Sequence, residues 1–122
     1  MASILRVNTL TDASSGNSTA MSTINQGTAK AWALSASGAS PALDSFNIST
    51  VTDNSTGNYD FTISSAMGSN NFVVAGMATG LNKVLGTNRP SNTTTNIHVE
   101  VRNQATTLVD NDAQPSIHGD LA

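Results

Sequence analysis

Ser45-Phe46-Asn47-Ile48-Ser49-Thr50-Val51, Thr52-Asp53-Asn54-Ser55-Thr56-Gly57-Asn58 and Tyr59-Asp60-Phe61-Thr62-Ile63-Ser64 follow one another in the chain and decide its fold class. In the first piece Phe46, Ile48 and Thr50 alternate with Ser45, Asn47 and Ser49; in the third Tyr59, Phe61 and Ile63 alternate with Asp60, Thr62 and Ser64. A period of two sends successive side chains to opposite faces of a strand, so each piece predicts a strand with one apolar face. The middle piece is made of turn formers, and 45–64 therefore predicts an antiparallel hairpin.

Working outward, Ile97, Val99 and Val101 alternate with His98, Glu100 and Arg102 and predict a half-exposed strand. Phe72-Val73-Val74-Ala75-Gly76-Met77 reads as a strand buried on both faces or entering an interface. At 28–34, Thr28, Lys30, Trp32 and Leu34 alternate with three alanines, which favours a strand. Residues 3–11 predict an extended segment whose Ile4, Val7 and Leu10 pack on a partner, followed by a turn-rich stretch to Ala20. Ser35–Ala42 reads as a small-residue loop, 80–96 as a long polar connection and 103–122 as an acidic, proline-bearing tail. The expected architecture is all-β: a small antiparallel β-sandwich of five or six strands with extended N- and C-terminal arms. Residues 1–27 form the arm and turn-rich segment, 28–102 the sandwich, and 103–122 the C-terminal tail.

Composition supports this. Asn, Ser and Thr fill 46 of 122 positions, while Glu occurs once and Lys twice. These short polar side chains compete with helix hydrogen bonds, whereas Thr suits strands and Asn suits turns. The pattern excludes a coiled coil and a helical bundle. Charged residues make up 11% of the chain and the net charge is −3, so Arg6, Lys30, Lys83, Arg89 and Arg102 cannot line a nucleic-acid backbone. No stretch approaches 18 consecutive apolar residues, which predicts no membrane insertion. Met1–Arg6 lacks a basic region followed by a long apolar run, so no secretory signal is expected. With no cysteine there are no disulfides or thiolate sites. Only Trp32, Phe46, Tyr59, Phe61 and Phe72 are aromatic. So polar a chain sits near break-even as a monomer, which predicts an oligomer whose neighbours hold the termini.

Candidate chemistry is sparse. Asp110, Asp112, His118 and Asp120 cluster near the end, but Asp110-Asn111-Asp112-Ala113-Gln114-Pro115 lacks the spacing of a calcium loop. His98, beside Glu100 and Arg102, suits a cross-strand ion pair or a solvated face. No Gly-x-Ser-x-Gly elbow and no paired carboxylates in an apolar pocket occur. The glycines mark turns or bulges and do not form a phosphate cradle. The four Asn-x-Ser/Thr triplets, at Asn17, Asn47, Asn54 and Asn92, match chance at this composition. No catalytic residue, cofactor or metal ligand is predicted. Ile4, Val7, Leu10 and Trp32 are the candidate subunit or virion interface; Asp53, Asn54, Asn58, Asn88 and Asn92 are the candidate outward loop residues.

Three stretches carry a resemblance. Ala2-Ser3-Ile4-Leu5-Arg6-Val7-Asn8-Thr9-Leu10 runs into Thr11-Asp12-Ala13-Ser14-Ser15-Gly16-Asn17. Ile24-Asn25-Gln26-Gly27-Thr28-Ala29-Lys30-Ala31-Trp32 comes next, and then Asp44-Ser45-Phe46-Asn47-Ile48-Ser49 with Thr52-Asp53-Asn54-Ser55-Thr56-Gly57-Asn58-Tyr59-Asp60-Phe61. Over residues 2–63 the chain resembles tail-fibre-like virion proteins of tailed phages, marine and cyanobacterial ones especially. The resemblance implies a non-enzymatic virion structural protein: a tail-fibre or tail-appendage component, expected as an intertwined homotrimer exposed on the particle surface. Its partners would be other tail or capsid proteins and a host surface glycan. The alternative is a capsid decoration (cement or knob) protein on the phage head. Two readings from other classes are a carbohydrate-binding sandwich using Trp32 and Tyr59, and a glycan-cleaving enzyme, which the lack of a carboxylate pair disfavours.

Overall fold

A computed structural model describes residues 6–14, 16–37 and 42–122. Ile4 lies outside the described residues. The strands in chain order are β1 (Thr9–Thr11), β2 (Ser18–Ala20), β3 (Ala31–Leu34), β4 (Asp44–Phe46), β5 (Ile48–Ser55) and β6 (Asn58–Ile63). They continue with β7 (Val73–Ala78), β8 (Lys83–Thr87), β9 (Asn96–Asn103) and β10 (Ala113–His118). One helix, α1 (Met21–Gly27), follows β2. β1 and β2 form a separate hairpin, and the other strands make two four-stranded antiparallel sheets. Sheet I has the order β4-β3-β10-β7 and sheet II the order β5-β6-β9-β8.

The two sheets pack as a sandwich with large side chains from one meeting small ones from the other. Sheet II turns Val51, Tyr59, Phe61, Ile63, Ile97, Val99 and Val101 inward, and sheet I answers with Ala31, Ala33, Ala113 and Ile117. Alternating bulk of this kind fills the space between pleated sheets without voids. The same constraint sets the sense of 28–34, which alternation leaves open: the alanines are buried and Trp32 points outward, because β6 already supplies the aromatic bulk.

The chain passes from sheet I to sheet II twice. Between β4 and β5 the corner residue is Asn47, whose φ of 56° is left-handed. Its side chain fixes the corner by donating to the Lys30 and Ser65 carbonyls and accepting from the Ser65 N–H. Asn is among the few L-residues that tolerate this conformation. Between β7 and β8 the crossing uses Gly80 and Asn82, both at positive φ.

The 45–64 hairpin forms, with β5 pairing β6 from Ile48↔Ile63 to Ser55↔Asn58. Its turn is only Thr56-Gly57, shorter than the loop expected over 52–58, because the polar residues Thr52–Ser55 are absorbed into β5 as an edge strand. β9 covers the strand expected at 97–102. β7 is exposed along most of its length, so it is not buried on both faces within one chain.

Three elements depart from expectation. Residues 113–118, expected in an acidic tail, form the second-innermost position of sheet I, between β3 and β7. Proline normally avoids such interior strands because it has no N–H to donate. Here Ala113 and Ser35 exchange both backbone hydrogen bonds and the Ile117 carbonyl accepts from Lys30, so β10 faces β3 through its odd-numbered residues. Pro115 therefore withholds its donor from β3, and the β10–β3 ladder is gapped between the Ala113 and Ser116 pairings while the β10–β7 ladder runs unbroken. β8 occupies part of the connection expected over 80–96. The N-terminal arm is not extended throughout: it folds into the β1–β2 hairpin and the short helix α1. Nothing in Met21-Ser22-Thr23-Ile24-Asn25-Gln26-Gly27 announces a helix, since no side chain caps its N-terminus and no acid sits in its first turn.

Candidate functional site

The outer face of sheet I is built by alternation from four strands. β3 sends Trp32 outward beside Phe46 of β4, its cross-strand partner. Ser116 of β10 stands opposite Trp32 on the other side, and Ala75 of β7 opposite Ser116. The neighbouring rows place Val73 against His118 and Met77 against Gln114. Phe46, Val73 and Met77 are 53%, 65% and 69% exposed, and Trp32 is 37% exposed. The strands of sheet I hold one carboxylate, Asp44, at a corner of the sheet. Two aromatic side chains and three aliphatic ones thus line an uncharged, flat surface with Ser116, Gln114 and His118 between them. At the β7 edge an open groove of about 300 Å³ continues past Met77 to Val84 and Leu85.

Ser116 Oγ and His118 Nε2 lie 3.1 Å apart on this face. Among the described residues no carboxylate hydrogen-bonds His118, so the pair lacks the orienting acid of a nucleophilic triad.

The outer face of sheet II is different in kind. Asp60 of β6 pairs across the strands with His98 of β9, its Oδ1 2.8 Å from His98 Nδ1. Glu100 accepts from Arg102 Nη2 at 2.6 Å and from Nε at 3.0 Å. Burial pushes the Asp60 carboxyl up, but hydrogen bonds from Asn54, His98 and Asn96 outweigh it and hold the carboxyl below its ordinary value. His98 thus makes a cross-strand contact with a carboxylate, where a cross-strand ion pair or a solvated face was expected.

The candidate loop residues separate on inspection. Asp53 and Asn54 are exposed, but on β5 and not in a loop. Asn88 is exposed, just before the 3-10 turn Arg89–Ser91. Asn58 is half-buried and bonds Ser55 Oγ. Asn92 is a correction, being 6% exposed: its Oδ1 accepts from the His98 N–H at 2.8 Å and its Nδ2 donates to Thr87 Oγ1. An amide that satisfies both a backbone and a hydroxyl partner ties the 88–96 connection to the sandwich, so it faces inward. The 56–57 turn is also pinned: Gly57 donates to Asp110 Oδ1 at 2.8 Å and its carbonyl accepts from Val101. Gly57 has φ +67°, and a Cβ there would fall 2.6 Å from the Val101 carbonyl oxygen. Tyr59 is fully buried, and its hydroxyl lies 3.3 Å from Asp110 Oδ1 while accepting from the Asn111 N–H. Burial, with Asp110 alongside, raises the Tyr59 hydroxyl above its usual range. Tyr59 is therefore a core residue and offers no stacking surface to a sugar.

Of the candidate interface residues, Trp32 lies on the uncharged face, and Val7 and Leu10 are exposed on the N-terminal unit. Sequence reasoning missed Phe46 as their companion, and reached Val73 and Met77 only through the 72–77 strand read as buried on both faces or entering an interface. Each sits on a readable strand, but their common face depends on β10, which was not legible as a strand.

Fold and site together define an all-β sandwich whose two outer faces differ, one charged and paired, the other uncharged and apolar. Comparison of the chain with family models, with curated proteins and with solved structures finds no match.

Proposed function

We propose that this chain is a non-enzymatic structural protein of a phage particle, a homotrimeric tail-fibre or tail-appendage component that assembles through the outer face of sheet I. The observation that carries the assembly role is the exposed cluster of Trp32, Phe46, Val73 and Met77 on a face almost free of charge. Interface cores are depleted of charged residues and enriched in aromatics and methionine, whereas solvent-facing sheets carry charge and polar pairs. The phage setting rests on the resemblance over residues 2–63. In this reading the polar side of the sandwich, with Asp53, Asn54 and Asn88 exposed, faces outward toward other virion proteins or a host surface glycan. A capsid decoration protein on the phage head is the second reading, with the same face seated on the shell.

Mass in solution by light scattering, with copy number and position in purified particles, tests the proposal. A trimer present in tens of copies or fewer at the tail is expected. Hundreds of copies over the head replace the appendage with a decoration protein, and a monomer absent from particles overturns both.

A further inference from the structure

The N-terminal unit has secondary structure but no interior. β1 and β2 pair through Thr9↔Ala20, Leu10↔Thr19 and Thr11↔Ser18, and Asp12 closes their loop by accepting from Ser14 Oγ, Gly16 N–H and Asn17 Nδ2. The Met21 N–H donates to the Asn8 carbonyl, which joins α1 to the hairpin. Every residue of β1 and β2 is exposed and no residue of α1 is buried. A lone two-stranded hairpin is marginal in water, and a helix must reach about 12–15 residues before it holds by itself. Local hydrogen bonds are therefore insufficient to keep this unit in place, and among its described residues only Met21 and Ile24 are half-buried, so most of its apolar surface lacks cover.

The same chain has a second uncovered surface, the outer face of sheet I. Two features make them partners. The first is charge: the arm 6–27 carries only Arg6 and Asp12, the latter bonded within its own loop, and the sheet I strands contain only Asp44. Joining them strips water from almost no ionised group. The second is area. Four strands about 4.8 Å apart and up to six residues long give a flat footprint of at most about 400 Å². A stable interface buries about 800 Å² of accessible surface from each partner, a larger figure than the flat extent of this face. A wrapping arm adds the missing surface. Each chain that gives its arm and receives another is buried at both places.

We infer that residues 6–27 of one copy lie across the outer face of sheet I of a second copy, with Val7 and Leu10 against the Trp32–Phe46 side. This rests on the oligomeric reading above and specifies which surfaces meet. Within one chain Leu10, Trp32 and Phe46 all remain exposed, so the arm does not cover its own face. The arm leaves beside that face: Lys30 Nζ donates to the Asn25 carbonyl and to Thr28 Oγ1, holding the end of α1 next to β3. A contact between unlike surfaces closes when repeated around a three-fold axis.

The chain has no cysteine, so thiols can be placed without background. In the full-length protein, Leu10→Cys and Phe46→Cys together, treated with a short bismaleimide, should give covalent trimers on a denaturing gel. An internally linked monomer band overturns the inference, because the arm then covers its own face. An intact oligomer without cross-links overturns the arm placement and leaves the oligomeric reading standing. A monomeric mass before cross-linking removes both. Independently, Val7→Asp with Leu10→Asp should weaken self-association at least tenfold and shift Trp32 emission to the red, with the strand content of the sandwich retained. Undiminished association in that variant overturns the inference.

Discussion

The outer faces of the two sheets start from the same rule and end in opposite chemistry. Both consist of every second residue of four antiparallel strands, and both stand on one shared core. On sheet II the outward positions of β6 and β9 hold Asp60, His98, Glu100 and Arg102, joined to one another. On sheet I they hold Trp32, Phe46, Val73, Ala75 and Met77. Strand geometry fixes which residues point outward, but it leaves open what those residues are. Paired charged side chains suit water, and uncharged aromatic and aliphatic ones suit a dry contact, which is the role proposed for the sheet I face.

The difference can be broken by exchanging the chemistry of the faces. Phe46→Lys with Met77→Lys puts charge into the proposed contact, and truncating or charging such anchors typically costs about 2–4 kcal/mol of association. The expected outcome is a fall in oligomer mass by sedimentation velocity. Lysines at Thr52 and Thr62, outward on sheet II, should leave the mass unchanged. Equal effects on both sides would erase the distinction.

The next effect is on the sandwich itself. Asp110→Ala removes the acceptor for the Gly57 N–H and the neighbour of the Tyr59 hydroxyl. Leaving such donors unpaired costs about 1–3 kcal/mol, to be read from urea denaturation of the full chain. Because Asp110 lies between the two faces, self-association at low denaturant should not change.

Acid and base should then act on sheet II. The Asp60 carboxyl titrates below its unfolded value, so its contribution is complete above about pH 4 and disappears as pH falls through the lower folded value. Tyr59 titrates above its unfolded value, so its contribution is complete below about pH 10 and is lost as pH rises through the folded value. Melting temperatures across pH should fall at both ends. His98→Ala takes away one of the hydrogen bonds holding Asp60 down, and should shrink the acid-side loss selectively.

The smallest effect belongs to Glu100 and Arg102, where the guanidinium side chain is 42% exposed. Arg102→Gln should cost no more than about 1 kcal/mol, and the cost should diminish in high salt. The sheet I face, lacking such pairs, should respond to salt hardly at all.

Much of the fold was legible because a half-buried strand leaves a local mark. Tyr59, Phe61, Ile63, Ile97, Val99 and Val101 are inward in the structure, and each belongs to a run whose alternation can be read without knowing any partner, whereas Val51 comes inward past the register shift between Ile48 and Thr50. The candidate contact face is legible through Trp32 and through the 72–77 strand that reads as entering an interface. Alternation sets Phe46 in one row with Ile48 and Thr50, yet Asn47 turns the chain from one sheet to the other at that point, which separates Phe46 from Ile48. The N-terminal helix left no cap or charge signal at all.

Side-chain period, turn chemistry and composition are local properties, so the β-rich character, a turn within 52–58 and mostly uncharged polar positions are all written in the chain itself. The tertiary structure alone decided that Ala31 and Ala33 go inside while Trp32 goes out, since that choice depends on the bulk already supplied by Tyr59 and Phe61 across the sandwich. It alone placed Ala113–His118 in the interior of sheet I, where Pro115 is tolerated because the β7 side of the ladder does not need its missing N–H. Alternation is written one residue at a time; the side that is buried is settled only by what packs against it.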